Sequence, residues 1–173
     1  MSKARGVADW TREVIDRARV AETPDLERVV VGVDPGMPGW PTGVIAAGRA
    51  ADGHFYVLGD YSMADDVTEC AEQVVTAYRH HKADVIAGVV NRAGDYLEKL
   101  LHCVDGEAEF KAVVVIRGTA ERSAPVIALY GQGCVHHWGV LAGLEDRMVT
   151  WDGINSRPRI GALICAITEL ESR

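Results

Sequence analysis

The chain has 173 residues, 48% hydrophobic and 25% charged, enough for one well-filled core and too few for two large domains. Its formal net charge of −7, from 18 Lys and Arg against 25 Asp and Glu, repels a polyanion, so DNA binding needs a local basic patch. No apolar run approaches the ~20 residues of a membrane span and the start, MSKARGVADW, has no apolar signal core, so a soluble, cytoplasmic protein is expected.

The charge is unevenly placed. Residues 1 to 29 carry six basic and six acidic side chains, which leaves the whole acidic excess on the body. Cys70, Cys103, Cys134 and Cys165 lie 31 to 33 residues apart, with no CxxC pair and no histidine at zinc-ligand spacing. They read as reduced thiols buried as small apolar groups.

Residues 9 to 20, DWTREVIDRARV, place Trp10, Val14, Ile15 and Ala18 on one side of a short amphipathic helix. VAETPDLE then reads as a linker, because Pro24 disfavours helix in the residue before it. Residues 1 to 27 are therefore expected to form a helical arm and linker lying outside a body of residues 28 to 173.

RVVVGVD is a β-branched run of the kind found at a sheet centre, and TGVIAAGRA and HFYVLGDYS follow it with an Asp52-Gly53 turn signal between them. Three consecutive antiparallel strands are predicted. From Ala64 the period changes, with Val67, Cys70, Ala71, Val74 and Tyr78 recurring at helical spacing. DVIAGVV reads as a strand, and Asp95 is placed to cap a helix carrying Leu97, Leu100 and Leu101. KAVVVIRG is predicted as another buried strand, and Pro125 suits the first turn of a helix carrying Val126, Leu129 and Tyr130. LAGLEDRM and IGALICAITEL complete the helices. The order describes an α/β mixed sheet with helices on its faces.

Several blocks resemble the nuclease domain of phage terminase large subunits: LERVVVGVDPG, TGVIAAGRAADGHFYVLGDYS, VVTAYRHHKADVIAGVVNRAGDYLE, APVIALYGQGCVHHWG, and LEDRMVTWDG followed by RIGALICAITEL. The leader ADWTREVIDRARVAETPDLE resembles the segment that joins motor to nuclease in that family, so the likeness runs from about Ala8 to Arg173. It implies a ribonuclease H-like fold. No GxxxxGK[ST] phosphate loop occurs, so this chain is not itself the ATP-driven motor; it reads as a fragment or a free-standing relative.

Enzymes of this kind cut DNA with two divalent cations, magnesium or manganese, held among carboxylates on the central strands and a late helix. Two cations ~3.5 to 4 Å apart activate water and stabilise the leaving oxygen, and hard cations want several oxygen ligands. The family's first aspartate corresponds to Asp34 in VDPG. Its glutamate at the end of a later strand falls on Val89, with Asn91, Gly94 and Asp95 of that block retained. Its late aspartate falls on Gly161, and the earlier acid of the same pattern on Pro158. An acid before a proline falls on Ala124, an upstream lysine on Thr119, and an acid before Thr-Gly on Trp40 or Pro41. The losses fall on reactive positions while the apolar and glycine framework reads intact.

Each candidate also has a plainer reading. Asp34 is either a surviving metal ligand or an aspartate opening a turn before Pro35. Asp60 ends a strand and reads as solvated. His136 and His137, adjacent on a strand, face opposite sides and cannot converge on one ion. His80, His81 and Lys82 complement a helix dipole. Arg117, Arg122, Arg157 and Arg159 are the candidates for a basic patch, Trp138 and Trp151 for the core. Trp40 reads as a plug in the altered site or a contact surface.

The resemblance and the missing acids together imply a terminase nuclease-like domain without motor or working metal site, with Asp34 as the one catalytic and metal-ligating residue in common. No cofactor is expected, or magnesium or manganese should the site be active. Partners would be phage packaging or capsid proteins, a separate terminase motor chain and, weakly, DNA; no membrane is involved, and virion association is compatible with a cytoplasmic protein. The alternatives are an endonuclease with substitute ligands such as Asp95 or Asp152, and a DNA-binding regulator.

Overall fold

The structure, a computed structural model, describes residues 10–36, 40–64, 67–91 and 95–172, with no side-chain description for 67–69. In chain order the elements are α1 (Arg12–Ala18), β1 (Arg19–Val20), β2 (Leu26–Asp34), β3 (Gly43–Ala50), β4 (Phe55–Asp60), α2 (Val67–His80), β5 (Val85–Val89), α3 (Tyr96–Val104), β6 (Phe110–Val113), α4 (Thr119–Gly131), β7 (Val135–Trp138), α5 (Ala142–Thr150) and α6 (Pro158–Glu171). The strands form one sheet in the order β1-β7-β4-β3-β2-β5-β6.

The three predicted strands pair as expected: β2 is antiparallel to β3, and β3 to β4. The turn between β3 and β4 uses Gly53 at φ 84°, where glycine avoids a steric penalty, and Asp52 accepts a hydrogen bond from the His54 amide at 2.9 Å. β5 lies parallel to β2 on its other side. The result is an α/β mixed sheet of the ribonuclease H-like kind, with helices on both faces. No helix among the described residues is long and apolar enough to cross a membrane.

Strand alternation divides the core. Val31 and Val33 of β2 meet Val74 of α2 and Leu97 of α3 on one face. Val30 of β2 and Ala87 of β5 join the apolar side chains of α6 on the other. Helix α6 sits unusually low on the sheet. A Cβ on Gly32 would lie 2.9 Å from the Ala166 Cβ, and one on Gly43 would run into the Pro158 carbonyl. Absent side chains at these positions bring the helix backbone against β2 and β3 and set where its N-terminus falls.

The leader belongs to the core instead of standing apart. Trp10 is 2% exposed and packs edge-on to Tyr130 at 5.9 Å and against Trp151 at 5.7 Å. Ile15 is fully buried. Beyond α1 the chain adds β1 to the outer edge of β7, parallel to it, so the sheet takes in residues on both sides of the boundary expected at Arg28. Burying Trp10 and Ile15 over the α4 and α5 surface removes more water-exposed apolar area than an outlying arm does.

A buried polar network reinforces that join. His137 of β7 makes hydrogen bonds to the Tyr130 hydroxyl at 2.7 Å and the Glu145 carboxylate at 3.0 Å. Arg19 in β1 donates to both Glu145 oxygens, at 2.9 and 3.2 Å. Burial opposes the Glu145 charge, yet donors from Arg19, His137 and the Leu141 amide hold its pKa down to about 2. Burial lowers the pKa of His137 despite the carboxylate beside it. His136, facing the other way, stacks on His54 and Tyr56, so the two histidines do diverge.

Other expectations need correction. Pro125 lies in the middle of α4, whose N-cap is Gly118. Asp95 precedes α3 without a side-chain capping bond and pairs with Lys99 at 2.8 Å. Asp60 is mostly buried against Arg159 of α6, 2.9 Å from its Nε, so a charge partner from the far end of the chain replaces solvent. Trp138 is 42% exposed, because β7 ends there; its indole N–H donates to the Ala21 carbonyl at 3.1 Å. Cys70 and Cys165 are buried, but Cys103 is exposed and Cys134 only half-buried. KAVVVIRG keeps only its first residues in β6, at the sheet's edge, which leaves Val114 and Ile116 in solvent.

Candidate functional site

Parallel β2 and β5 run in register from Val30 opposite Val85 to Val33 opposite Gly88. One residue further, their last residues, Asp34 and Val89, stand side by side. The alternation that buries Val30 and Ala87 under α6 turns both toward the same face. Gly161, in the first turns of α6, closes the group: a Cβ built there would fall within the Asp34 carboxylate, 2.9 Å from its Cγ. Three positions far apart in sequence thus meet at one point, and only Asp34 brings a carboxylate.

Asp34 also makes the turn. Its Oδ1 accepts from the Gly36 amide at 3.0 Å, and Gly36 has φ 64°, the left-handed conformation such a turn asks of glycine. The aspartate therefore has the geometry of the turn former.

Around it opens a cleft of about 230 Å³, whose lining includes Asp34, Val89, Asn91, Arg117, Thr119 and Arg122. Asn91 ties its floor by donating to the Val115 carbonyl at 2.6 Å and accepting from the Val115 amide at 2.7 Å. Arg117, just ahead of α4, bonds Glu121 of its first turn at 3.2 Å, an exposed pair that holds it weakly. Two of the four arginines singled out, Arg117 and Arg122, reach this cleft; Arg157 and Arg159 do not. They line a separate recess of about 90 Å³ with Trp40, Pro41 and Arg147. Trp40 lines this recess and not the Asp34 cleft, so it does not plug that cleft.

The proposed substitute ligands lie elsewhere. Asp95 is fully exposed, and its pKa is lowered by its hydrogen bond from Lys99. Asp152 spends its oxygens on the Ile154 and Asn155 amides at 2.9 Å and on the Asn155 side chain, which also lower its pKa. Among the described residues no group of three or more His, Cys, Asp or Glu side chains is arranged to hold a metal ion. Gly94 falls outside the described residues. Cys165 lies close under the site, its thiol on the Ala87 carbonyl at 3.4 Å; burial pushes its pKa up to about 12, which leaves it an unreactive thiol.

Solved structures of viral terminases share this arrangement of strands and helices. The large terminase of bacteriophage HK97 superimposes with a TM-score of 0.71 at 13% identity over 92% of this chain. The fold is that of a terminase nuclease domain. The human cytomegalovirus terminase nuclease domain, in a manganese-soaked structure, matches with a TM-score of 0.62 at 17% identity, over 93% of each chain. The nuclease domain of the large terminase subunit gp2 of bacterial virus Sf6 matches with a TM-score of 0.65 at 12% identity, over 91% of this chain and 96% of its own. This chain spans 43% of the HK97 protein. No protein-family model and no curated protein sequence matches it. At such identities the likeness is one of fold, and the chemistry has to be argued from the cleft.

Proposed function

We propose that this chain is a terminase nuclease-like domain that has lost two-metal cleavage and serves phage or prophage DNA packaging, or capsid assembly, through protein contacts. The observation that carries the reading is the meeting of Asp34, Val89 and Gly161 at the ends of β2 and β5 and on α6. The sequence resemblance puts carboxylates at all three positions in the nuclease family, and their convergence here supports that correspondence.

A magnesium or manganese pair does not fit the residues present. Val89 offers only an alkyl group, Gly161 offers none, and the Asp34 carboxylate occupies the volume in which a second ligand would stand. Two hard cations need several anionic oxygens around them. One carboxylate, partly committed to the Gly36 amide, does not supply them. Asp34 is in this reading the remnant of a ligand set, retained as a turn former.

Arg117 and Arg122 beside the cleft favour a weak contact with a phosphate backbone as a second role. The net charge of −7 keeps it salt-sensitive. A separate motor chain is among the partners this reading allows. The test is a plasmid-nicking assay with manganese, paired with affinity capture from infected or lysogenic cells. No cleavage together with recovery of a packaging or capsid protein is expected. Cleavage by the unmodified chain that Asp34→Ala abolishes would place the endonuclease reading first.

A further inference from the structure

β6 is the terminal strand of the sheet. On its inner side, Ile86 N donates to Glu109 O and Val90 N to Val113 O, so the odd-numbered residues of this segment turn their peptide groups toward β5. Asn91 extends the ladder to Val115 with its carboxamide in place of a peptide. The even-numbered residues of β6, Phe110 and Ala112, consequently turn their amides and carbonyls outward, and the Asn91 bridge to Val115 carries the alternation past the end of the strand toward Val114 and Ile116. Among the described residues no backbone hydrogen bond reaches Val114 or Ile116. The two residues are 68% and 90% exposed.

Natural edge strands are commonly guarded by lysine, proline or a bulge. Here the segment from Glu109 to Gly118 has no proline, and its one lysine, Lys111, is drawn onto Glu169 of α6 at 2.8 Å. A groove of about 550 Å³ lined by Val113, Val115, Ile116, Pro125 and Cys165 runs alongside. Alternating free peptide groups call for an extended main chain, and the sequence of the segment is complementary to itself.

We propose that a second copy of this chain closes this edge, with the two β6 segments antiparallel about a two-fold axis at Val113. In that register Ala112 faces the partner's Val114 and Phe110 faces the partner's Ile116, both as hydrogen-bonded pairs, while Glu109 faces the partner's Arg117. Moving the axis to Val114 would set Lys111 against the partner's Arg117, and like charges directly opposite are unfavourable. Arg117 is free to reorient, since its ion pair with Glu121 is exposed on both sides. A two-fold arrangement of this kind is self-limiting and ends at a dimer.

Sedimentation velocity and cysteine trapping on the full chain test the pairing and its register. The wild-type chain is expected to dimerise with rising concentration. Arg117→Glu should weaken the dimer about fivefold, and Glu109→Arg added to it should restore the affinity. In a Cys103→Ser, Cys134→Ser background, Val113→Cys should form an intermolecular disulfide with oxidised glutathione, because residue 113 meets itself across the axis, whereas Val115→Cys should not. A chain that stays monomeric at about 0.5 mM overturns the proposal, since an interface of ordinary size is populated well below that. So does a dimer in which Val115→Cys cross-links as readily as Val113→Cys, which would put the contact on another surface or in another register. The trap reads register even if the charge variants fold poorly.

Discussion

The Asp34 carboxylate lies where a side chain on Gly161 would have to be. The relationship ties the end of the first long strand to the last helix, and it rests on the close seating of α6 over Gly32 and Gly43. A residue larger than glycine at 161 requires the Asp34 carboxylate, whose Oδ1 holds the Gly36 amide, to shift.

Restoring the acids therefore tests both the correspondence and the geometry. Val89→Glu with Gly161→Asp is expected to give weak manganese-dependent nicking of plasmid DNA, lost again when Asp34→Ala is added. Rescue should be partial, because Thr119 and Ala124 remain and a loosely supported metal shell loses activity. The unmodified chain should show no rise in melting temperature with millimolar manganese, since a ligand stabilises only as its concentration exceeds Kd. The double variant should show one. A metal-induced rise in the unmodified chain that depends on Asp34 would contradict the proposed loss of the site.

Trp10→Ala is expected to destabilise the fold, not merely to alter association. The indole is buried between Tyr130 and Trp151, and removing an aromatic ring from a core costs about 3–5 kcal/mol, or about 10 °C in melting temperature for a chain of this size. A variant with wild-type stability would mean that α1 is not packed as described.

Gly43→Ala should be at least as damaging as an ordinary overpacking change, at about 1–3 kcal/mol or more. Its Cβ would meet the Pro158 carbonyl, which is main chain and cannot swing aside. Gly53→Ala, in open space at the β3–β4 turn, should instead show only the smaller cost of its positive φ. Thermal denaturation of the two variants side by side distinguishes them, and equal losses would argue against the close seating of α6.

Acid should lower the protein's stability through two pH windows. The His137 pKa lies below its usual 6.5 because of burial, so the unfolded state takes up that proton first and stability falls as pH drops below about 6.5. Glu145 has its folded pKa at about 2 against 4.5; its contribution is complete above 4.5 and is lost as pH falls from there toward 2. Melting temperatures measured from pH 8 to pH 3 should decline through both windows. In Glu145→Gln the second decline should be smaller, while a flat profile below pH 6 would contradict the buried network.

Much of this protein is determined by local sequence alone. The β-branched run RVVVGVD, the Asp52-Gly53 turn, the helical spacing around Val74 and the apolar run of α6 depend on neighbours within a few residues, and the structure has each as predicted. The side chains at 34, 89 and 161, one carboxylate among them, are likewise a matter of sequence. Tertiary structure alone decided what each surface touches. Trp10 became core because α4 and α5, over a hundred residues later, offer it a surface. Asp60 lost its solvent to Arg159, Val114 and Ile116 gained theirs because β6 falls at the sheet's edge, and Trp40 lines a recess outside the cleft. Periodicity reports which side of an element is apolar; burial and electrostatic partners are set by segments distant in the chain, which local pattern does not encode.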